Sequence, residues 1–174
     1  MGIIKTKFPE ITRDYLETLQ INIGYKCNQA CSHCHVDAGP NRTEMMSDKI
    51  INLIPKVIKA NNIKMLDITG GAPELHPKFK QLVKEVRSMN VEVMDRCNLT
   101  ILTEPGHESL ARFLASNKVQ ITASLPCYLK DNVDKQRGKG VFEKSILGLK
   151  QLNSYGYGRK DEDLILNLVY NPSG

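Results

Sequence analysis

No stretch of this 174-residue sequence approaches the ~18 unbroken apolar residues of a membrane span. The start, Met1-Gly-Ile-Ile-Lys-Thr-Lys7, lacks a long apolar run closed by a small-residue cleavage site, so no secretory signal is read. Met1-Gly2 with Thr6 meets only the loosest myristoylation pattern. Concentrated charge is missing too. The net charge of +5 comes from basic residues scattered along helical stretches, such as Lys78, Lys80, Lys84 and Arg87. That is the pattern of solvated helix faces and not of a nucleic-acid stripe, although a mildly basic surface also suits an anionic small substrate or cofactor. Internal repeats and low-complexity tracts are absent. Cysteine is scarce and odd in number: Cys27, Cys31, Cys34, Cys97 and Cys127. Three are bunched and no export signal accompanies them, which argues against a disulfide scaffold. Metal or redox chemistry in a reducing, cytoplasmic setting is the expectation, without membrane or nucleic-acid partners.

What is present is enough apolar residue, 41%, to bury the core of one domain or a large piece of one. Residues 19–24 alternate apolar and polar as a strand does, and the cysteine loop follows to about Pro40. A helix reads from Ser47, an N-cap, with Ile50, Ile51, Ile54, Val57 and Ile58 on one face. Pro55 inside it predicts a kink, because an interior proline removes a hydrogen bond and clashes with the preceding turn at ~3 kcal/mol. Residues 65–69 form a second strand, ending in Gly70-Gly71. Pro77 opens a helix with a stripe of Phe79, Leu82, Val83 and Val86, which Asn90 ends. A third strand begins over 91–94, then a short helix carries Leu110, Phe113 and Leu114. A strand over 119–125, a helix near 141–152 and a strand over 164–170 complete the pattern.

Strands alternating with helices predict an α/β fold with a parallel sheet, either doubly wound or part of a β/α barrel. Gln20 and Asn22, Asp67 and Thr69, and Thr122 and Ser124 share one parity of their strands, and Asn167 sits alone amid apolar neighbours. On a barrel that face turns inward. Unpartnered buried polar groups cost about 1–3 kcal/mol each, so several together imply a lumen that binds a polar ligand. Alternatively they bond neighbouring strands or waters. The chain runs out directly after the fifth strand, and a bare strand edge is a liability. A lead-in over 1–17 and an incomplete core domain over 18–174, the front portion of a longer protein, are therefore expected.

The cysteine loop reads Cys27-Asn-Gln-Ala-Cys31-Ser-His-Cys34-His35. Three thiols so spaced, just beyond a strand, can wrap a compact metal centre. A [4Fe–4S] cluster takes one ligand per iron, commonly four cysteines. Three local ligands leave one iron open to a substrate or cofactor, which separates a catalyst from an electron carrier. Two alternatives stand beside this reading: a structural zinc on Cys27, Cys31, Cys34 and His35, and a closed cluster completed by Cys97 or Cys127.

Cys-x3-Cys-x2-Cys after the first strand of a βα series resembles the signature of the radical S-adenosylmethionine (SAM) superfamily, with His33 where an aromatic residue is usual. The resemblance implies a partial (β/α)6 barrel, here truncated after about the fifth strand. It also implies SAM chelated to the open iron and cleaved by one electron to methionine and a 5′-deoxyadenosyl radical, with a donor such as flavodoxin or ferredoxin. Gly70-Gly71-Ala72-Pro73-Glu74 resembles the Gly-Gly-Glu element whose backbone engages the SAM amino group. Glu74 is displaced by two residues from that pattern and reads instead as an acidic residue favouring a helix N-terminus. On its own, the turn also reads as an ordinary strand-to-helix connection, which often carries glycine, or as a nucleotide phosphate loop.

The segments after strands three and four are Met94-Asp-Arg-Cys97-Asn-Leu-Thr100 and Ser124-Leu-Pro-Cys127-Tyr128, with Asn132-Val-Asp-Lys-Gln-Arg137-Gly nearby. Residues at the C-terminal ends of barrel strands line the active mouth. A cysteine there is either a small buried hydrophobe or a working thiol. Taken in order with the cysteine loop, these segments look like the arsenosugar-biosynthesis (ArsS) family of the radical SAM/Cys-rich group. That family implies addition of the adenosyl radical, through its 5′-carbon, to a trivalent methylated arsenical. Soft thiolates suit a soft metalloid, so Cys97, Cys127 and Arg137 form the expected catalytic set. Gly70, Gly71, Ala72, Asn98, Ser124 and Asn167 form the expected cofactor-binding set. The family's Cys-rich C-terminal half has no counterpart in this sequence. Competing readings are a radical SAM maturase acting on a peptide or other small molecule by hydrogen abstraction, and a non-catalytic iron–sulfur or zinc module.

Overall fold

In the computed structural model, which describes residues 9–12, 14–160 and 163–171, five strands and six α-helices alternate along the chain. The Met1-Gly2 start and the last three residues lie outside the described part. β1 (Thr18–Asn22) leads through the cysteine loop to α1 (Asp48–Ile51) and α2 (Ile54–Ala60). β2 (Met65–Thr69), α3 (Phe79–Ser88), β3 (Glu92–Asp95) and α4 (Leu110–Ser116) follow. β4 (Gln120–Ser124), α5 (Lys130–Arg137), α6 (Val141–Ser154) and β5 (Leu166–Val169) complete the order, with 3-10 turns at Pro73–Leu75 and Leu99–Thr103.

Every strand pairs in parallel with its neighbour in sequence, in the order β1-β2-β3-β4-β5. This order decides between the two expected architectures. Strand–helix–strand crossovers are right-handed, so a chain that always steps the same way along the sheet puts its helices on one face. A doubly wound sheet reverses direction and covers both faces. The fold is therefore a five-stranded partial β/α barrel wall.

The helix-covered face carries Leu66, Ile68, Val93, Ile121 and Ala123, all sealed from solvent and in one cluster with the α3 stripe of Phe79, Leu82, Val83 and Val86. Each fully buried aliphatic side chain contributes roughly 1.5–3 kcal/mol of transfer free energy. The opposite face carries the polar parity in register, Gln20 beside Asp67, Asn22 beside Thr69, and Thr122 beside Asn167. Among the described residues no helix is long and apolar enough to cross a membrane.

Two details differ from expectation. Pro55 does not kink a continuous helix; the helix breaks between Ile51 and Ile54, and Pro55 falls in the first turn of α2. There its missing N–H costs nothing, because the first turn has no intrahelical acceptor to offer. The helix α5 has no apolar period that the sequence could reveal, since Val133 is its single aliphatic residue. It is tied to α6 through Asp134, whose carboxylate accepts from Gly140 N and Phe142 N at 2.9 Å each.

Candidate active site

The cysteine loop is built by backbone hydrogen bonds before any ligand enters the account. Gly24 bridges Met45, Lys26 bridges Gly39, and the Cys27 N–H donates to Gly39 O at 3.1 Å. Two tight turns, Cys34 N to Cys31 O and Asp37 N to Cys34 O at 3.1 Å each, coil the segment. All three cysteines are free thiols, and all three line one cavity of about 290 Å³.

The end of β2 clamps this loop from the other side. Gly71 N donates to Gly24 O and Ala72 N to Lys26 O, both at 2.9 Å. A Cβ on Gly71 would stand 2.5 Å from Lys26 O and 2.9 Å from Ala38 Cβ, and one on Gly70 would stand 2.6 Å from Gly24 O. These are backbone clashes that no rotamer relieves, so the two glycines are needed first for the seam between β2 and the loop. Both also line the cavity, whereas Ala72 is sealed against Cys27 and Ala38 and does not reach it.

The thiols fit an iron–sulfur cluster better than they fit zinc. Burial pushes the Cys27 thiol up, while the Asn98 amide, with Nδ2 3.5 Å from Cys27 Sγ, acts the other way; Ala38 N donates to Cys34 Sγ at 3.3 Å. A bound cation deprotonates such a thiol outright. Zinc–sulfur bonds of about 2.3 Å in a tetrahedron bring thiolates to about 3.8 Å of one another. Among the described residues, Glu74, Asp95 and Cys97 form the one group of three whose ligand atoms lie within 4.8 Å of one another. The three loop thiols are thus not gathered as closely as one zinc ion would hold them. Neither Cys97 nor Cys127 lines the cavity, so the closed four-cysteine cluster has no fourth ligand in place.

From the far strands, Asn98, Ser124 and Arg137 line the cavity as expected. Arg137, at the last turn of α5, donates through Nη1 to Ser124 O and through Nη2 to Asn98 Oδ1 at 3.0 Å. Its Nε, also sealed from solvent, has no hydrogen-bond partner among the described residues. Asn98 passes the connection on to Asn28 Oδ1 at 2.6 Å and to the Cys27 sulfur. Asn167 departs from expectation: it is exposed on β5 and does not line the cavity.

Cys97 departs further. It is 0% exposed and lies with Glu74 and Asp95 in the helix-side core, behind the sheet and out of the cavity. Burial pushes the Cys97 thiol up, with Glu74 and Asp95 adding to the effect, and pushes the Glu74 carboxyl to about 7 and the Asp95 carboxyl well up. Retained protons let these groups sit together in the core. Glu74 is thus a buried member of this group and not an exposed helix-capping acid. Asp95 was missed, although it falls on the apolar parity of Val91 and Val93, where a carboxyl is out of place. Cys127 is buried under the start of α5, and the Leu129 N–H and the Asn132 amide, each 3.5 Å from its sulfur, hold the thiol below the usual cysteine range. Its neighbour Pro126 lines the cavity.

Arg96 was also missed. It lines the cavity from the end of β3, with Nε donating to Asp67 Oδ1 at 2.9 Å and Nη2 to Asp67 Oδ2 at 2.8 Å. Gln20 Nε2 donates to the same carboxylate at 2.6 Å. The polar parity therefore divides: Asp67 and Gln20 bond across neighbouring strands, while Thr69, Thr122 and Ser124 line the cavity. Arginine beside a strand end gives no signal without knowing that Asp67 lies below it.

The family model described as Radical SAM superfamily matches residues 21–170. Among curated proteins, a probable GTP 3′,8-cyclase of Saccharolobus solfataricus is 26% identical over 142 residues, 81% of this chain and 45% of that protein. The mycofactocin maturase MftC of Mycolicibacterium smegmatis is 28% identical over 133 residues, 76% of this chain and 33% of that protein. The chain thus spans less than half the length of these relatives. Among solved structures, anSMEcpe with bound AdoMet superposes with a TM-score of 0.69 at 20% identity, over 90% of this chain and 43% of that one. Streptococcus suis SuiB bound to the precursor peptide SuiA gives 0.67 at 18% identity, over 85% and 34%.

Proposed function

Because this chain belongs to the radical SAM superfamily, we propose that Cys27, Cys31 and Cys34 hold a [4Fe–4S] cluster whose remaining iron takes S-adenosylmethionine. The observation that carries this reading is the convergence of three free thiols, not gathered as one zinc ion would hold them, on a cavity shared with Gly70, Gly71 and Arg137. When bound and reduced, the cluster supplies the single electron that cleaves SAM. The protein's own part is to position and to exclude. Asn98 and Ala38 donate N–H groups to the ligand sulfurs, and the Gly70-Gly71 backbone lets a ligand come close to the loop. Arg137, which lines the cavity with Ser124 and Asn98 fixing its guanidinium, is the proposed partner of the carboxylate of the methionine moiety.

For the substrate, the motif order favours a trivalent methylated arsenical coupled to the adenosyl group, with Cys127, next to the cavity-lining Pro126, as its proposed thiol in place of Cys97, which lies in the helix-side core. The second reading, hydrogen abstraction from a small molecule or peptide, rests on the cyclase and maturase among the relatives. Flavodoxin or ferredoxin is the proposed donor in either case.

The test begins with anaerobic reconstitution and assay of iron and sulfide, followed by SAM and dithionite. Methionine and 5′-deoxyadenosine are expected from the wild type, and none from Cys27→Ser, Cys31→Ser or Cys34→Ser. Zinc without sulfide, or an intact cluster that leaves SAM uncleaved, refutes the reading. Mass spectrometry with dimethylarsinous acid then separates the substrates. An arsenic–adenosine adduct lost in Cys127→Ser supports the first, and 5′-deoxyadenosine as the sole adenosyl product supports the second.

A further inference from the structure

The cavity carries two arginines, Arg96 and Arg137, together with His33 and His35, and among the described residues no aspartate or glutamate lines it. Arg137 is committed toward the cluster loop through Asn98. Arg96 belongs to the other side of the site, bonded to β2 and, through the shared Asp67, to β1. Its backbone N–H donates to Ile68 O at 2.9 Å, extending the β2–β3 pairing and keeping the side chain on the parity of Met94, the cavity face. Asp67 is 4% exposed while the Arg96 side chain is 41% exposed, so the carboxylate is roofed by the guanidinium and the guanidinium is what the cavity meets. Nε and Nη2 are held on Asp67, whereas Nη1 takes no hydrogen bond among the described residues. A planar guanidinium fixed along one edge presents its other edge for recognition of a carboxylate or phosphate.

We propose that Arg96 is the substrate-recognition residue of this site and that the substrate carries a carboxylate or phosphate group, with Asp67 and Gln20 as positioning residues. The proposal rests on the cluster-and-SAM reading above and names the substrate class it left open. On the arsenical reading, the recognised species is then an arsenical carried on an acidic thiol, since free dimethylarsinous acid bears no charge at neutral pH.

Equilibrium binding of glutarate and of inorganic phosphate to reconstituted, SAM-saturated protein tests this. The variants are Arg96→Gln and the double variant Arg96→Gln/Asp67→Asn, the second sparing the fold an unpaired buried carboxylate. At least one probe is expected to bind the wild type, with affinity reduced tenfold or more in both variants and SAM affinity unchanged within twofold. Preference for glutarate marks a carboxylate substrate and preference for phosphate a phosphorylated one. Unchanged probe binding in the variants, or no saturable binding to the wild type, overturns the proposal. A parallel fall in SAM affinity assigns Arg96 to the cofactor and overturns it as well. Failure of the wild type to bind SAM is a separate result, and refutes the cluster reading instead.

Discussion

Replacing Glu74 by Gln is expected to reduce markedly the stability that the wild type should lose as pH rises from 5 to 8, leaving the smaller part that Asp95 contributes. Burial pushes the Glu74 carboxyl from an ordinary 4.5 to about 7, and Asp95 is raised by burial and then by Glu74. An acid whose folded-state value is raised favours the protonated, folded form. Its contribution is complete below about 4.5 and is lost as pH climbs through about 7. About two and a half pH units at about 1.4 kcal/mol each give about 3 kcal/mol for Glu74, and Asp95 acts in the same direction. Glu104, Glu108 and Asp134 are held below the usual carboxylate range, so their contributions disappear only under more acid conditions and do not mask the effect. Urea unfolding of cluster-free protein at pH 5 and pH 8 measures the difference without interference from acid-labile iron and sulfide. Equal wild-type stability at both values, or a Glu74→Gln protein with the wild-type pH dependence, refutes the reasoning.

Four other perturbations follow from the geometry. Gly71→Ala, with its Cβ 2.5 Å from Lys26 O, should cost about 1–3 kcal/mol and lower iron retention, read by thermal melting and iron assay. Arg137→Lys should weaken SAM binding about tenfold with iron content unchanged, because an ammonium cannot span Ser124 O and Asn98 Oδ1 and still face the cavity. In the reconstituted protein, iodoacetamide should alkylate Cys127 well before Cys97, whose thiol is sealed and raised; mass spectrometry of the peptides shows the order. Tyr157→Phe removes the hydroxyl that donates to Val119 O at 2.7 Å in the core, and should cost about 1–3 kcal/mol in a denaturant melt.

Most of the fold was legible because period and parity are local. The strand 65–69 was placed to the residue, and the Phe79, Leu82, Val83 and Val86 stripe predicted α3 within two residues at each end. Strand order was not legible, since helix-covered strands look alike whichever way the chain steps. In the site, the cysteine spacing and Gly70-Gly71 were visible because both are short contiguous patterns. Arg96, Asp95 and Glu74 were not, because their roles depend on a partner 20 or more residues away: Asp67 for Arg96, and Glu74 and Asp95 for each other. Cys97 misled for a related reason. Its position at a strand end was correct, but residues at such ends alternate between the cavity and the helix layer, and Cys97 follows Asp95 into the helix layer.

The sequential strand order also bears on how such a molecule can diversify. Everything proposed to hold the cluster comes from the first two βα units, the loop after β1 and the glycine seam after β2. The residues proposed to choose a substrate, Arg96 and Cys127, follow β3 and β4, and Asp67 and Asn98 join that side of the cavity to the first half. Mutation around Arg96 and Cys127 can therefore alter what enters the cavity, while the thiol loop and the glycine seam, with Asn98 and Arg137 reaching toward them, stay under their own constraints.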